Sequence, residues 1–197
     1  MSATRPRLRA EERRRAVLEA ASRVFAKSSY DGATTAEIAR EAGITEPILY
    51  RHFGSKRELY LACLDAAWQS LRATAEEAVA ADPGRCLGAV ADVYMTRRAQ
   101  TRLVDLWIQA LTIAPEDPAI AKAVKEQVRA VHAFFADVIR AGQAEGHVAA
   151  ERDPVAEAWV FLGCGLLATM DERLGGLLGR DLERVRTARR AWMLAQP

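Results

Sequence analysis

Between positions 30 and 59 the chain gathers side chains suited to one task, the recognition of a polyanion. Tyr50, Arg51 and His52 are consecutive, and Lys56 follows within a helix-starting pattern. An arginine can pair bidentately with the O6 and N7 edge of guanine, while tyrosine and histidine donate to phosphate oxygens. A lysine at a helix N-terminus adds an ammonium to free backbone N–H groups, and both attract phosphate. These groups work together only if something rigid presents them on one small surface.

The neighbouring residues supply that scaffold. Thr34-Thr35-Ala36-Glu37 has the form of a capping box, in which Thr34 accepts from the N–H of Glu37 and Glu37 reaches back. Ile38 and Ala39 face inward, and Ala42-Gly43 ends this short helix. Thr45 can cap the next one, with Pro47 tolerated in its first turn. A helix over 46–52 is too short to be stable alone. Leu49, Phe53 and Leu59 can anchor it on Ile38, Val24 and Phe25, which turns Glu46, Pro47, Ile48, Tyr50, Arg51 and His52 partly outward. Ser55-Lys56-Arg57-Glu58 is a second capping box, opening a long helix. Two short helices across a tight Gly-Ile-Thr turn, buttressed on both sides, make the layout of a helix-turn-helix.

The run Tyr30-Asp31-Gly32-Ala33-Thr34-Thr35-Ala36-Glu37-Ile38-Ala39-Arg40-Glu41-Ala42-Gly43-Ile44, followed by Leu49-Tyr50-Arg51-His52-Phe53 and Ser55-Lys56-Arg57-Glu58-Leu59, resembles the DNA-binding domain of the TetR family. The resemblance covers residues of about 10–65, one third of the chain. It implies that Thr35, Tyr50, His52 and Lys56 contact phosphate, and that Thr45, Glu46, Ile48 and Arg51 lie near base edges. Pro47 and Ile48 replace the small and hydroxyl residues often found at those positions. Ile48 is suited to a thymine methyl, and Glu46 to the amino group of cytosine. Arg5, Arg7 and Arg9 precede the domain, either as a solvated tail or as an arm reaching phosphate or the minor groove. Arg13, Arg14 and Arg15, with Glu11 and Glu12 nearby, read as a solvated helix face.

The rest of the sequence is compatible with this reading. The formal net charge is +2, but residues 1–60 carry 12 Lys and Arg against 8 Asp and Glu, whereas residues 61–197 carry 16 against 18. Basic excess at one end is expected if only that end meets phosphate. Cys63, Cys86 and Cys164 lack metal-ligand or redox-motif spacing and read as reduced small hydrophobes. With His52, His132 and His147 they form no recognisable triad, and there is no Gly-rich phosphate loop, so enzymatic function and a cofactor are not expected. No apolar run is long enough to span a bilayer, and no secretory signal opens the chain, so the expectation is a soluble cytoplasmic protein.

Hydrophobic periodicity and punctuation predict an all-α chain of about nine helices, over 8–28, 35–42, 46–52, 56–81, 83–97, 99–113, 117–142, 153–174 and 178–195. Asp82-Pro83, Asp117-Pro118 and Asp153-Pro154 each predict a helix start. Val124, Val128, Val131, Phe135 and Val138 form one stripe, with Gly142 and Gly146 as stops. Two domains are expected, 1–65 for DNA and 66–197 for ligand and dimerisation, dividing within the long helix near Trp68. The resemblance implies a C-terminal bundle with a cavity among its middle helices. Candidate lining residues are Trp68, Tyr94, Met95, Leu103, Trp107, Leu111, Val131, Phe134, Phe135 and Trp159; taken singly, ordinary core packing accounts for each. His132 is a possible polar handle with a structural role as the simpler reading.

The last two helices are dimer candidates by the same resemblance. Trp159, Leu162, Leu166 and Met170 form a stripe, Gly163, Gly165 and Ala168 allow close approach, and Leu182, Val185 and Trp192 extend the apolar surface. The function implied is a sequence-specific transcriptional regulator, a homodimer on a palindromic operator in double-stranded DNA, and a repressor released by a small apolar or aromatic effector. The alternative is an activator or architectural DNA-binding protein of the same type that needs no small molecule.

Overall fold

A computed structural model describes residues 4–194, with side chains from Glu11 onward except those of 98–101. The arm candidates Arg5, Arg7 and Arg9 fall outside the described side chains. Nine α-helices are found among the described residues: α1 (Thr4–Gly32), α2 (Thr35–Glu41), α3 (Glu46–His52), α4 (Lys56–Ala81), α5 (Cys86–Thr101), α6 (Leu103–Ile113), α7 (Pro118–Ala144), α8 (Pro154–Arg173) and α9 (Asp181–Met193).

Local chemistry accounts for most boundaries. Asp117 Oδ1 accepts from the N–H groups of Ala119 and Ile120 at 3.0 and 3.3 Å, and Asp153 Oδ1 from Val155 N at 2.9 Å. Both Asp-Pro starts are therefore capped as the sequence predicts. The third is not: Asp82 makes no cap bond, Pro83–Arg85 forms one 3-10 turn, and α5 begins at Cys86. Gly142 is also not a stop. It lies inside α7, where a Cβ would come within 2.7 Å of Val148 Cγ2 and 3.0 Å of Cys86 Sγ, so its smallness is a packing requirement.

Ser29 interrupts α1 with φ 63° and ψ 172°, a region that glycine alone occupies without strain. Its Oγ accepts from Gly32 N at 3.3 Å, and its carbonyl accepts from Ala33 N at 3.2 Å, which holds the turn that leads into α2. Ser29→Gly is expected to raise the unfolding free energy by about 0.5–1 kcal/mol, strain relief exceeding the added chain entropy. Ser29→Ala, which keeps the strain and loses the hydroxyl, should be less stable than wild type. Denaturant unfolding of the three proteins checks the order.

The chain forms two compact units. One comprises the described residues up to Ser70 together with Gln100–Lys125; the other comprises Leu71–Ala99 and the described residues from Glu126. Helices α4 and α7 each contribute to both. In the first unit α1 packs on α2 and α6, and α2 on α3. Its core includes Val17, Phe25, Ile38, Leu49, Phe53, Leu59, Tyr60, Leu106 and Ile120, all 2% exposed or less. Phe25, Tyr30 and Tyr60 form an aromatic cluster, and the Tyr60 hydroxyl donates to Leu106 O at 2.6 Å. Burial of Cys63 pushes its thiol up to about 12, so it is an inert core residue.

In the second unit, Val90, Val93, Val131, Phe135, Val138 and Ile139 are buried. Phe135 packs on Phe161 with ring centroids 4.7 Å apart. Among the described residues no helix is long and apolar enough to cross a membrane, and no group of His, Cys, Asp or Glu could hold a metal ion.

Candidate nucleic-acid interface

The reading head is fixed by its caps. Thr34 Oγ1 accepts from Glu37 N at 3.1 Å. Ser55 Oγ accepts from Glu58 N at 3.0 Å, and Glu58 Oε2 reaches back to Gly54 N at 2.9 Å. Gly43, at φ 68°, makes the turn between α2 and α3, where Ile44 N donates to Ala39 O at 3.0 Å. Leu49 and Phe53 are buried, and the Arg14 guanidinium lies 4.6 Å from the centre of the Phe53 ring. Arg14 therefore packs on the reading head rather than on a purely solvated face.

Thr45 stands at the N-cap of α3 without a side-chain cap bond. Pro47 has no N–H to offer, and Ile48 N already donates to Thr45 O at 3.0 Å. The Thr45 side chain remains exposed beside Glu46, Pro47 and Ile48 at the N-terminal edge of the helix. Thr35 donates its hydroxyl proton to the Glu46 carboxylate. Tyr50 OH lies 3.3 Å from Thr35 Oγ1, and because Thr35 has spent its one proton, Tyr50 is the donor of that pair. Three residues that the sequence assigns separately thus form one chain, Tyr50 to Thr35 to Glu46.

Lys56 Nζ sits 4.7 Å from the Tyr30 ring centre and donates to Asp31 O at 3.3 Å, close to the start of α4. His52 is half-buried, its ring 6.4 Å from that of Phe53. Arg51 is exposed and has no ion-pair or hydrogen-bond partner among the described residues. Arg57 pairs with Asp117 at 3.4 Å, which links the start of α4 to the start of α7 within the first unit. Burial opposes ionisation of Asp117, but the two backbone N–H donors of its cap and the Arg57 charge outweigh it and hold the carboxyl below its usual range.

A cavity of about 410 Å³ lies within the second unit. Tyr94 and Met95 line it, as do Leu182 and Val185, which the sequence suggests for dimerisation. The Tyr94 hydroxyl is 2.6 Å from Thr169 Oγ1 and donates to Gly165 O at 3.0 Å. The other cavity candidates sit elsewhere. Trp68, Leu103 and Trp107 are buried in the first unit, and Leu111 of that unit is 63% exposed. Val131, Phe134 and Phe135 are not part of the cavity wall, and Phe134 lies under the Arg72 guanidinium at 6.0 Å. Trp159 is exposed, stacked on His132 with ring centroids 4.2 Å apart, while His132 Nε2 is 2.9 Å from Val155 O.

Of the dimer candidates, Leu166, Met170 and Trp192 are exposed and Leu162 is half-buried. Gly163 faces open space, but Gly165 is covered by the Tyr94 ring at 3.7 Å and Ala168 is buried.

Sequence reasoning missed a charged clip between α8 and α9. Glu157 accepts from Arg189 and, at 2.8 Å, from Trp192 Nε1, while the Arg152 guanidinium covers the Trp192 ring at 3.6 Å. Arg152 Nε also donates to Trp192 O at 3.0 Å. These partners are some 35 positions apart, and no local pattern pairs them. Burial raises the Glu157 pKa, yet the bonds from Trp192 and Arg189 and the charges of Arg189 and Arg152 prevail, so the carboxyl titrates below its ordinary range. A depressed folded-state pKa stabilises above the unfolded value and is lost as pH falls through the folded one. The stability gap between wild type and Glu157→Gln should be full at neutral pH and close as pH drops below about 4. Urea unfolding of both proteins across that range measures it.

Comparison with known proteins agrees with this geometry. The model of bacterial regulatory proteins of the tetR family matches residues 17–63. The HTH-type transcriptional activator FasR of Mycolicibacterium smegmatis is 53% identical over 58 residues, 29% of this chain and 26% of that protein, so this match spans about a quarter of the relative. The HTH-type transcriptional regulator TtgR of Pseudomonas putida is 30% identical over 158 residues, 75% of each chain. In fold, a TetR transcriptional regulator from Chloroflexus aurantiacus superposes with a TM-score of 0.76 at 22% identity, over 95% of this chain and 99% of that one. With an all-helical fold, an outward α3 and a relative matched over three quarters of both lengths, the chain belongs to the TetR family of DNA-binding transcriptional regulators.

Proposed function

We propose that this regulator is a cytoplasmic homodimeric repressor that binds a palindromic operator and leaves it when a small molecule occupies the cavity of the second unit. The observation that carries the reading is α3, which turns Tyr50 and Arg51 outward, the latter without a partner among the described residues, while Leu49 and Phe53 hold it down. One such helix reads few bases; two, fixed by symmetry, address half-sites about one DNA turn apart, ~34–36 Å. Leu166, Met170 and Trp192 offer exposed apolar surface for that pairing. An effector changes DNA affinity only by binding the two states of the dimer differently, and α4, which contributes to both units, is the lever.

The experiment is selection of binders from a random DNA pool, followed by titration of the selected duplex with candidate effectors. A consensus with dyad symmetry supports the dimer, and loss of binding at saturating effector supports release. Unaltered affinity at saturation contradicts release. Likeness of the reading head to that of an activator favours activation as the second reading; a promoter reporter in a strain lacking the chain separates the two by the sign of the change.

Glu46 has a defined consequence in this scheme. Its carboxylate repels phosphate and holds the hydroxyl protons of Thr35 and Tyr50 in an internal chain. Glu46→Ala removes the charge and releases both donors. Affinity for all sequences should rise about tenfold at 50 mM salt and less at 200 mM. Fluorescence anisotropy measures this. A loss confined to sequences with cytosine at one position would instead make Glu46 a base reader.

A further inference from the structure

We propose that the cavity of the second unit is built for an amphipathic carboxylate, with the acid group held at Arg190 and the chain among apolar side chains. The proposal rests on reading this cavity as the effector site and departs from the expectation of a small apolar or aromatic ligand.

The wall has two chemistries. Its apolar part includes Met95, Ile139, Val148, Phe161 and Leu167, enough to take up an alkyl or aryl body. Its charged part is arginine-rich: Arg85, Arg186, Arg189 and Arg190 meet only Asp92, Glu157 and Glu183. Every one of those acids is engaged. Asp92 accepts Arg85 at 2.9 Å and Arg186 at 3.6 Å, Glu183 pairs with Arg186 at 3.6 Å, and Glu157 is held by Arg189 and Trp192. Arg190 makes no side-chain hydrogen bond or ion pair among the described residues, although it lines the same cavity.

Arg190 is exposed and has no counter-ion among the described residues, while each carboxylate of the same wall is held by another arginine, which leaves a local surplus of positive charge. It favours an anion and penalises a second cation. Arginine's planar fork fits a carboxylate bidentately, and the neighbouring apolar wall rewards a chain attached to it. An uncharged hydrocarbon fills the apolar part and leaves Arg190 unmatched. A small hydrophilic anion does the reverse. The amphiphile satisfies both.

Isothermal titration calorimetry of the full chain with octanoate, decanoate, decan-1-ol and acetate tests this. Decanoate should bind about tenfold or more tightly than decan-1-ol, the difference a charge-assisted pair makes. It should exceed octanoate by about fourfold per methylene, and acetate should not register. Arg190→Gln should bring decanoate down to the affinity of decan-1-ol. Arg184→Gln, on the same helix but paired with Asp181 at 2.9 Å and away from the cavity, should leave decanoate binding unchanged. Circular dichroism confirms that both variants fold.

Equal binding of acid and alcohol overturns the carboxylate assignment while leaving an apolar effector site standing. Absence of binding by every probe overturns it as well, and so does loss of decanoate binding in both variants alike, which would mark adsorption to the apolar exterior. The effector reading itself fails on a different measurement: tight, Arg190-dependent decanoate binding that leaves affinity for the selected DNA duplex unchanged.

Discussion

Phe53→Ala is expected to abolish DNA binding for every sequence and to lower the unfolding free energy by about 3–5 kcal/mol. Phe53 is 1% exposed at the C-terminal cap of α3, where its N–H donates to Leu49 O. A seven-residue helix has no independent stability, since nucleation alone consumes most of what its few bonds return. Its position depends on Leu49 and Phe53, both buried in the core of the first unit, which also holds Ile38, Leu59 and Phe25. Removing the ring leaves a cavity that neighbours on rigid helices cannot close, and it strips the Arg14 guanidinium of the surface it covers. Guanidinium unfolding measures the loss. Residual sequence-specific binding at temperatures where Phe53→Ala remains folded would show that α3 is positioned by something other than this anchor. Phe53→Leu separates volume from aromaticity: it should recover most stability and most binding if packing is the cause.

Why the reading head was legible in the sequence, and the cavity was not, comes down to range. Thr34 to Glu37 and Ser55 to Glu58 are contacts three residues apart, so the pattern that suggests them also makes them. The buried faces of α2 and α3 follow from spacing as well. Even here one local inference failed for a local reason: Thr45 does not cap, because Pro47 removes one donor and the backbone of Thr45 takes the next. The Tyr50–Thr35–Glu46 chain has no local signature, because it crosses from one helix to another.

The second unit depends on pairs far apart. Periodicity shows that Val131 and Phe135 share an apolar face, but which helix covers it, and whether space is left over, is decided by tertiary packing. Trp68, Leu103 and Trp107 lie in the core of the first unit, whereas the cavity of the second unit is lined by Tyr94, Met95 and, from α9, Arg186, Arg189 and Arg190. Gly142 illustrates the same limit. A glycine near a helix end reads as a stop, and only the approach of Val148 and Cys86 shows that it is a spacer.

Arg51→Ala is expected to weaken binding to the selected palindrome by about 2–6 kcal/mol while leaving binding to unrelated duplex nearly unchanged. A bidentate arginine–guanine contact is worth about 1–3 kcal/mol of discrimination. In a symmetric complex each subunit makes that contact once, and the two half-sites are distant enough for the losses to add. Arg51 is the exposed cation of α3 with no internal partner among the described residues, so its substitution leaves the head intact and the effect is read on DNA alone. Lys56→Ala makes the contrast. Lys56 lies against Tyr30 at the start of α4, the position proposed for a phosphate contact. Its loss should weaken all sequences together and reduce the slope of log K against log salt by about two if the proposed dimer binds both half-sites. Competition binding across single-base variants of the palindrome, repeated at two salt concentrations, distinguishes the roles. If Arg51→Ala lowers every duplex equally and flattens the salt slope as Lys56→Ala does, both residues hold the backbone, and base readout must come from Thr45, Glu46 and Ile48 at the other end of the helix.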